Sequence, residues 1–116
     1  MRKDSDRKQR VIFIDDSGTE SNELIAGGRV KFTHARNMTL ADWHFEVGTL
    51  LPEHSHKHEQ ITKVISGEFE LITEDEKYTL SPGDSVIIPP HIRHSGRALA
   101  QCRLIDVFYP MREDYV

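Results

Sequence analysis

Short strand-like runs separated by turn residues occupy most of the chain, and this pattern constrains the fold more than any other feature. No long stretch repeats apolar residues at a helical period, whereas runs rich in β-branched and aromatic residues alternate with breaks rich in Gly, Pro and Asp. These runs predict eight strands, at residues 11–14, 29–33, 39–47, 61–65, 68–73, 77–80, 85–88 and 103–109. Many short strands with regular turns are typical of an all-β sandwich or barrel.

Length and composition indicate one globular domain that binds no nucleic acid. The chain has 116 residues, 37% of them hydrophobic and 29% charged, with a formal net charge of -4. Such a balance lacks the basic stripe that phosphate backbones require. The single cysteine, Cys102, excludes an intrachain disulfide and favours a reducing compartment, and a buried strand position is its simplest interpretation.

No apolar run is long enough for a signal peptide or a membrane helix, so we expect a cytoplasmic protein without membrane contacts. Residues 1–10 are almost entirely charged or polar. We predict that they form a polar tail, or an arm that pairs with a partner subunit, and that residues 11–116 form the barrel.

Histidines concentrate in one short segment. The chain has seven, and three of them alternate in HSHKH at residues 54–58. On a strand, alternate side chains share a face, so His54, His56 and His58 would point the same way. Two imidazoles at positions i and i+2 can bind one metal ion. The alternative is a solvated loop in which the histidines are incidental.

The wider spacing resembles the two signature motifs of the cupin superfamily, here GTLLPEHSHKHEQITKVISG at residues 48–67 and GDSVIIPPHIRH at residues 83–94. The resemblance implies a single-domain jelly-roll-like barrel (a double-stranded β-helix) of six to eight strands. It also implies one divalent metal held by His54, His56 and His94. The family's usual glutamate ligand falls on Gln60, which we keep as the fourth ligand, and Glu59 should point away from the site. An ordinary strand glutamine is the alternative for this position.

These ligands carry no charge, which bears on the substrate. Three imidazoles and an amide leave the charge of a divalent ion uncompensated, so the pocket should attract a small anion. The ligand types do not distinguish among Ni, Zn, Mn, Fe and Co. Neither His58 nor His91 is expected as a ligand: His58 would lie beside the site or point to solvent, and His91 would form a wall of the pocket. Structural roles are expected for His34 and His44.

The C-terminal run, DVFYPMREDYV at residues 106–116, supplies the candidate catalytic residues. Strand alternation puts Asp106 and Phe108 on one face. A carboxylate inside a small barrel is costly unless it is paired or near a metal. Arg112 follows a proline and could fold over the opening, where its planar fork suits a carboxylate. The alternative is a surface ion pair between Asp106 and Arg112 or Arg103.

This run and the segment HSHKHEQ resemble the small pectin-degradation cupins of the KdgF type, over about residues 40–116. The resemblance implies an enzyme that opens the ring of 4,5-unsaturated monouronates to give a 5-keto-4-deoxyuronate. It assigns Asp106, Phe108 and Arg112 to the active site and, together with exposed sheet edges, favours a homodimer. Alternatives are an Fe(II)-type dioxygenase, a non-catalytic binding module and a sugar isomerase or epimerase.

Overall fold

A computed structural model describes residues 9–116, and within them ten strands form two antiparallel sheets. The strands are β1 Asn22–Ile25, β2 Gly28–His34, β3 Thr39–Phe45, β4 Leu50–His54, β5 Glu59–Ser66, β6 Phe69–Thr73, β7 Lys77–Leu80, β8 Ser85–Ile88, β9 His94–Ala98 and β10 Cys102–Tyr109. The large sheet has the order β1-β2-β3-β10-β5-β8, and the small sheet has the order β4-β9-β6-β7. The predicted all-β class is confirmed, and the two antiparallel sheets agree with the jelly-roll-like barrel that the resemblance implies.

Helical structure in the described part of the chain is limited to two three-residue 3-10 turns, Asp16–Gly18 and Glu113–Tyr115. None of it has the length and hydropathy needed to cross a membrane.

Side-chain alternation explains how the two sheets enclose a core. Alternate residues of β10 are buried from Cys102 to Phe108, and those of β5 are buried at Gln60, Thr62 and Val64. These faces pack against the inner face of the small sheet, as period-two patterning requires. The core thus contains an aromatic stack of Trp43, Phe45 and Phe69 toward one end, while the polar inner residues lie toward the other end.

Seven of the eight predicted strands are present, with ends shifted by up to two residues. The predicted strand at residues 11–14 is wrong: its residues are exposed and pair with no strand among residues 9–116. Three strands were missed, β1, β4 and β9. β4 contains Pro52, which a central strand would not tolerate, and it lies at the edge of the small sheet.

Residues 1–8 lie outside the described residues, so the proposed role of residues 1–10 as a tail or an arm stays a prediction.

Two turns at one end of the barrel follow the expected chemistry. Ser81 and Asp84 close the turn before β8, where the Ser81 amide donates to the Asp84 carboxylate at 2.9 Å. Gly67 joins β5 to β6 at φ +78°, and a Cβ there would lie 2.7 Å from the Cys102 Cα. Only glycine fits this approach without displacing backbone.

Candidate metal centre

Three histidines converge where β4 and β9 meet at one end of the barrel. His54 ends β4 and pairs directly with His94, the first residue of β9, while His56 lies in the loop after β4. One ligand atom from each imidazole lies within 4.8 Å of the other two. The strand alternation used to align His54, His56 and His58 does not hold beyond His54, because β4 ends there and the chain turns. His54 and His56 nevertheless reach the same point.

Backbone hydrogen bonds fix which ring nitrogen faces the site. The Nδ1 atoms of His54, His56 and His94 lie 2.8, 3.0 and 2.8 Å from the carbonyl oxygens of Pro52, His58 and Ile92. A carbonyl only accepts, so each Nδ1 carries the proton. Each Nε2 therefore presents a lone pair, which is the orientation that metal-binding histidines adopt.

Gln60 completes the site from β5. Its amide nitrogen donates to Thr62 Oγ1 at 2.8 Å and to Asp106 Oδ1 at 3.1 Å, which turns its Oε1 toward His56 Nε2 at 2.9 Å. Both facing atoms are acceptors when the His56 proton is on Nδ1. Two acceptors at this distance repel each other unless a cation lies between them.

Burial keeps His56 and His94 neutral and favours coordination. Desolvation, followed by the charges of Arg112 and His94, lowers the pKa of His56 to about 4. Desolvation also lowers the pKa of His94, whose buried Nε2 has no hydrogen-bond partner among residues 9–116. Protonation therefore cannot resolve the repulsion between His56 and Gln60 at neutral pH. The residues present fit a divalent metal, which His54, His56, His94 and Gln60 would hold.

Asp106 lies directly behind this set, at the centre of β10. It is 5% exposed, and its Oδ1 accepts from the Thr62 hydroxyl at 2.5 Å as well as from Gln60. Burial raises the pKa of Asp106 to about 6, against the opposing effects of both hydrogen bonds and of the Arg112 charge. The surface ion pair weighed from the sequence does not form, because Arg103 binds Asp42 and Arg112 binds Asp114.

Phe108 and Arg112 form the wall beside the histidines. The Phe108 ring packs edge-on against His56, with centroids 5.6 Å apart. The Arg112 guanidinium is buried between Phe108 and Tyr115, 4.7 and 4.2 Å from the two ring centroids. Its Nε and Nη2 groups donate to Asp114 at 3.0 and 2.7 Å, so the fork that the sequence suggested for a substrate is occupied by a carboxylate of the chain.

The remaining histidines take separate positions. His58 is buried beside His56, and neither of its ring nitrogens has a partner among the described residues. His91 has φ +68°, and its amide donates to the His56 carbonyl at 2.7 Å, which anchors the loop between β4 and β5. His34 bonds to Thr39, and His44 lies on the exposed face of β3.

Sequence reasoning missed three residues of the site: Thr62, Asp114 and Tyr115. Thr62 reaches Asp106 only because the register of β5 and β10 pairs them, and no local pattern reveals that register. Asp114 and Tyr115 follow Arg112 at short spacing, which was a usable signal for a local ion pair and a ring contact.

Comparison with known proteins places this arrangement in context. The cupin domain family matches residues 41–108. The pectin degradation protein KdgF of Dickeya dadantii is 34% identical over 110 residues, which cover 92% of this chain and 99% of that protein.

Solved structures agree with that match. KdgF from Halomonas sp. superimposes with a TM-score of 0.85 at 31% identity, covering 90% of this chain and all of that chain. An RmlC-like cupin from Shewanella frigidimarina gives the same TM-score at 29% identity, covering 95% of this chain and all of that chain.

Proposed function

This chain belongs to the cupin family, and we propose that it is a metal-dependent enzyme that opens the ring of 4,5-unsaturated monouronates in pectin or alginate degradation. The similarity to two KdgF proteins supports the substrate class. The observation that carries the proposal is the position of Gln60, whose Oε1 faces His56 in the candidate metal centre while its amide nitrogen donates to Asp106, an acid with a raised pKa.

The reaction is an isomerisation with two proton-transfer steps. The anomeric hydroxyl loses its proton to a base, C1 becomes a carbonyl, and the bond from C1 to the ring oxygen breaks. C4 of the resulting enolate then gains a proton, and C5 becomes a ketone. No oxidant or reductant is needed, so one group that accepts and returns a proton is sufficient.

Asp106 is the candidate for this transfer. Its carboxylate would accept the hydroxyl proton and deliver it to C4, and a pKa of about 6 suits both directions near neutral pH. Thr62 and Gln60 hold Oδ1 in place, so the geometry of transfer is set before substrate arrives. When bound, the divalent metal would supply Lewis-acid stabilisation of negative charge developing on substrate oxygens.

Phe108 and Arg112 would position the substrate. Phe108 offers an apolar surface to one face of the sugar ring. Because Asp114 occupies Nε and Nη2 of Arg112, the Nη1 group is the one that can contact the substrate carboxylate. The buried guanidinium also supplies positive charge beside the histidines, which suits an anionic substrate.

Loss of the conjugated double-bond absorbance of an unsaturated galacturonate tests the proposal, with metal-loaded and metal-stripped protein measured against a no-enzyme control. We expect strong metal-dependent acceleration, which Asp106→Asn lowers by about 10²- to 10⁴-fold with metal content unchanged. Glu59→Gln is the matched control, because Glu59 is exposed on the opposite face of β5. No acceleration by fully metallated protein would refute the ring-opening function, and equal metal loss in Asp106→Asn would assign that residue a structural role.

A further inference from the structure

The end of the chain folds back onto the large sheet beside the candidate metal centre. Residues 110–116, here called the C-terminal strap, follow β10 directly. The Arg112 amide donates to the Thr39 hydroxyl oxygen at 2.9 Å, and the Tyr115 ring stacks on Phe32 of β2 with centroids 4.6 Å apart. These two contacts attach the C-terminal strap to neighbouring strands, at Arg112 itself and again at Tyr115.

The C-terminal strap buries the Arg112 side chain against two aromatic rings. Arg112 is 6% exposed, and its guanidinium carbon lies 4.7 and 4.2 Å from the ring centroids of Phe108 and Tyr115. Stacking of this kind contacts the planar surface of the guanidinium, and the N–H groups, which point outward in the plane, need other partners. A buried cation without such partners is strongly destabilising. Another residue must therefore satisfy these N–H groups and set their direction.

Asp114 satisfies one edge of the guanidinium. Its Oδ1 accepts from Nε of Arg112 at 3.0 Å, and its Oδ2 accepts from Nη2 at 2.7 Å. Two parallel hydrogen bonds define the plane of the guanidinium as well as its position, which a single bond does not. The hydrogen bonds from Arg112 lower the pKa of Asp114, so the pair remains ionised at neutral pH. Rotation of the guanidinium out of this plane would break both bonds.

The remaining N–H group of Arg112 is open to a ligand. Nη1 makes no hydrogen bond among residues 9–116, and it is not one of the buried polar atoms that lack a partner in this part of the chain. After desolvation, the charge of Arg112 makes the largest contribution that lowers the pKa of His56, so the guanidinium lies close to the candidate metal centre. Nη1 is thus the donor left for an anion bound there.

Asp114 lies on the outer side of this ion pair. Its side chain is 55% exposed, whereas that of Arg112 is 7% exposed. The carboxylate therefore holds the guanidinium from the solvent side, and both of its oxygens are engaged, so it is not itself placed to contact a substrate in the barrel. Without Asp114, the long Arg112 side chain would lose its fixed direction. Ordering such a side chain at the moment of binding weakens affinity.

We propose that Asp114 is a positioning residue, which holds Arg112 in the orientation that presents Nη1 to the carboxylate of a substrate at the candidate metal centre. This inference rests on the proposed function for the identity of the anion. It extends that function to a residue that lies outside the pocket and acts only through Arg112. The C-terminal strap is then part of the substrate site.

Exchange of the Arg112 Nε–H proton with water tests the orientation without any reaction. NMR of the ¹⁵N-labelled full chain, loaded with diamagnetic zinc, measures it, and Arg112→Lys assigns the signal by its absence. We expect exchange about 10-fold faster or more in Asp114→Ala, since a hydrogen bond to a charged group protects this proton. Glu113→Ala is the matched control, because Glu113 is the adjacent acidic residue, is 78% exposed and lies 3.8 Å from Lys57 instead. Equal exchange in the original protein and in Asp114→Ala would overturn the proposal.

Steady-state kinetics of metal-loaded variants on an unsaturated galacturonate test the consequence for the substrate. We expect Asp114→Ala to raise KM about 10-fold, because binding must then order a mobile side chain, while kcat stays within about twofold. In an Arg112→Ala background, Asp114→Ala should have no further effect, since it acts only through the guanidinium. A lower KM in Asp114→Ala would mean that its carboxylate competes with the substrate, and a full effect in the Arg112→Ala background would mean that Asp114 acts elsewhere. Either result would overturn the proposal.

The two measurements separate this inference from the proposed function. If the original protein does not accelerate ring opening, the proposed function fails, and the exchange rate of Nε–H still decides whether Asp114 orients Arg112. If the original protein is active and Asp114→Ala matches it in both KM and exchange rate, the proposed function stands and the positioning role of Asp114 fails.

Discussion

Replacing Asp106 by Asn should stabilise the metal-free protein at alkaline pH while removing activity. The carboxyl is buried, and desolvation raises its pKa from 3.8 to about 6. The folded state therefore binds the proton more tightly than the unfolded state, and stability falls as the pH rises from 3.8 through 6. A change from 3.8 to about 6 corresponds to about 3 kcal/mol above pH 7 and to roughly half of that at pH 5, at 1.36 kcal/mol per pKa unit.

Asparagine removes this titration and keeps an oxygen for Thr62 and Gln60. Urea unfolding of chelator-treated protein at pH 8 and pH 5 measures the effect. We expect the gain from Asp106→Asn to be larger at pH 8 by about 1 kcal/mol, whatever constant the amide itself adds. Glu59→Gln removes an exposed carboxylate and should stay within about 0.5 kcal/mol of the original at both pH values.

The pH dependence of this stability difference decides whether the pKa of Asp106 is raised in the fold. If the stability difference between Asp106→Asn and the original protein is the same at pH 5 and pH 8, Asp106 titrates normally in the fold. The raised pKa would then be wrong, and with it the argument that Asp106 can both accept and donate a proton near neutral pH.

Three further outcomes follow from the same contacts. Divalent metal at one hundred times its dissociation constant should raise the unfolding free energy by about 2.7 kcal/mol. In thermal denaturation, His94→Ala should lose this stabilisation by metal, whereas His44→Ala should keep it. Equal stabilisation of both variants would exclude His94 as a ligand. Gly67→Ala should lower the free energy of unfolding, measured in urea, by about 2 kcal/mol or more. Gly83→Ala should lower it less, because Gly83 shares the positive φ but a Cβ there meets no atom within 4 Å. Equal losses in the two variants would mean that the contact with Cys102 is harmless. Burial raises the pKa of the Cys102 thiol to about 11, so a thiol reagent should label it only on unfolding, and rapid labelling of folded protein would contradict its burial.

Local sequence patterns predicted which side chains within a single strand face inward and which face solvent. The alternation in β10 placed Asp106 and Phe108 on the inner face, and the alternation in β5 turned Glu59 outward, as the structure has them. Pairing partners were not predictable in this way. Residues 11–14 have strand composition but no strand beside them in the chain's own sheets, whereas the polar β1 forms because it continues the hairpin of β2.

In the candidate metal centre, too, local spacing predicted some residues, whereas contacts that depend on strand pairing were not predictable. Histidine spacing identified His54, His56 and His94, although the strand invoked to align His56 ends before it. The link from Gln60 to Asp106 through Thr62 depends on the register of β5 and β10, which are neighbours in the sheet but far apart in sequence. Likewise, the sequence showed that Arg112 suits a carboxylate but not that Asp114 would bind it first.

The proposed role of Asp106 is to deliver a proton to C4 of a substrate held at the candidate metal centre. The most direct test is NMR of the product formed from an unsaturated galacturonate in D₂O. A proton donor fixed on one side of the ring predicts that metal-loaded protein places deuterium on a single face of C4, and that Asp106→Asn gives the mixed faces and slow rate of the unaided reaction. A mixture of both faces at the unaided rate from the metal-loaded original protein would contradict the account.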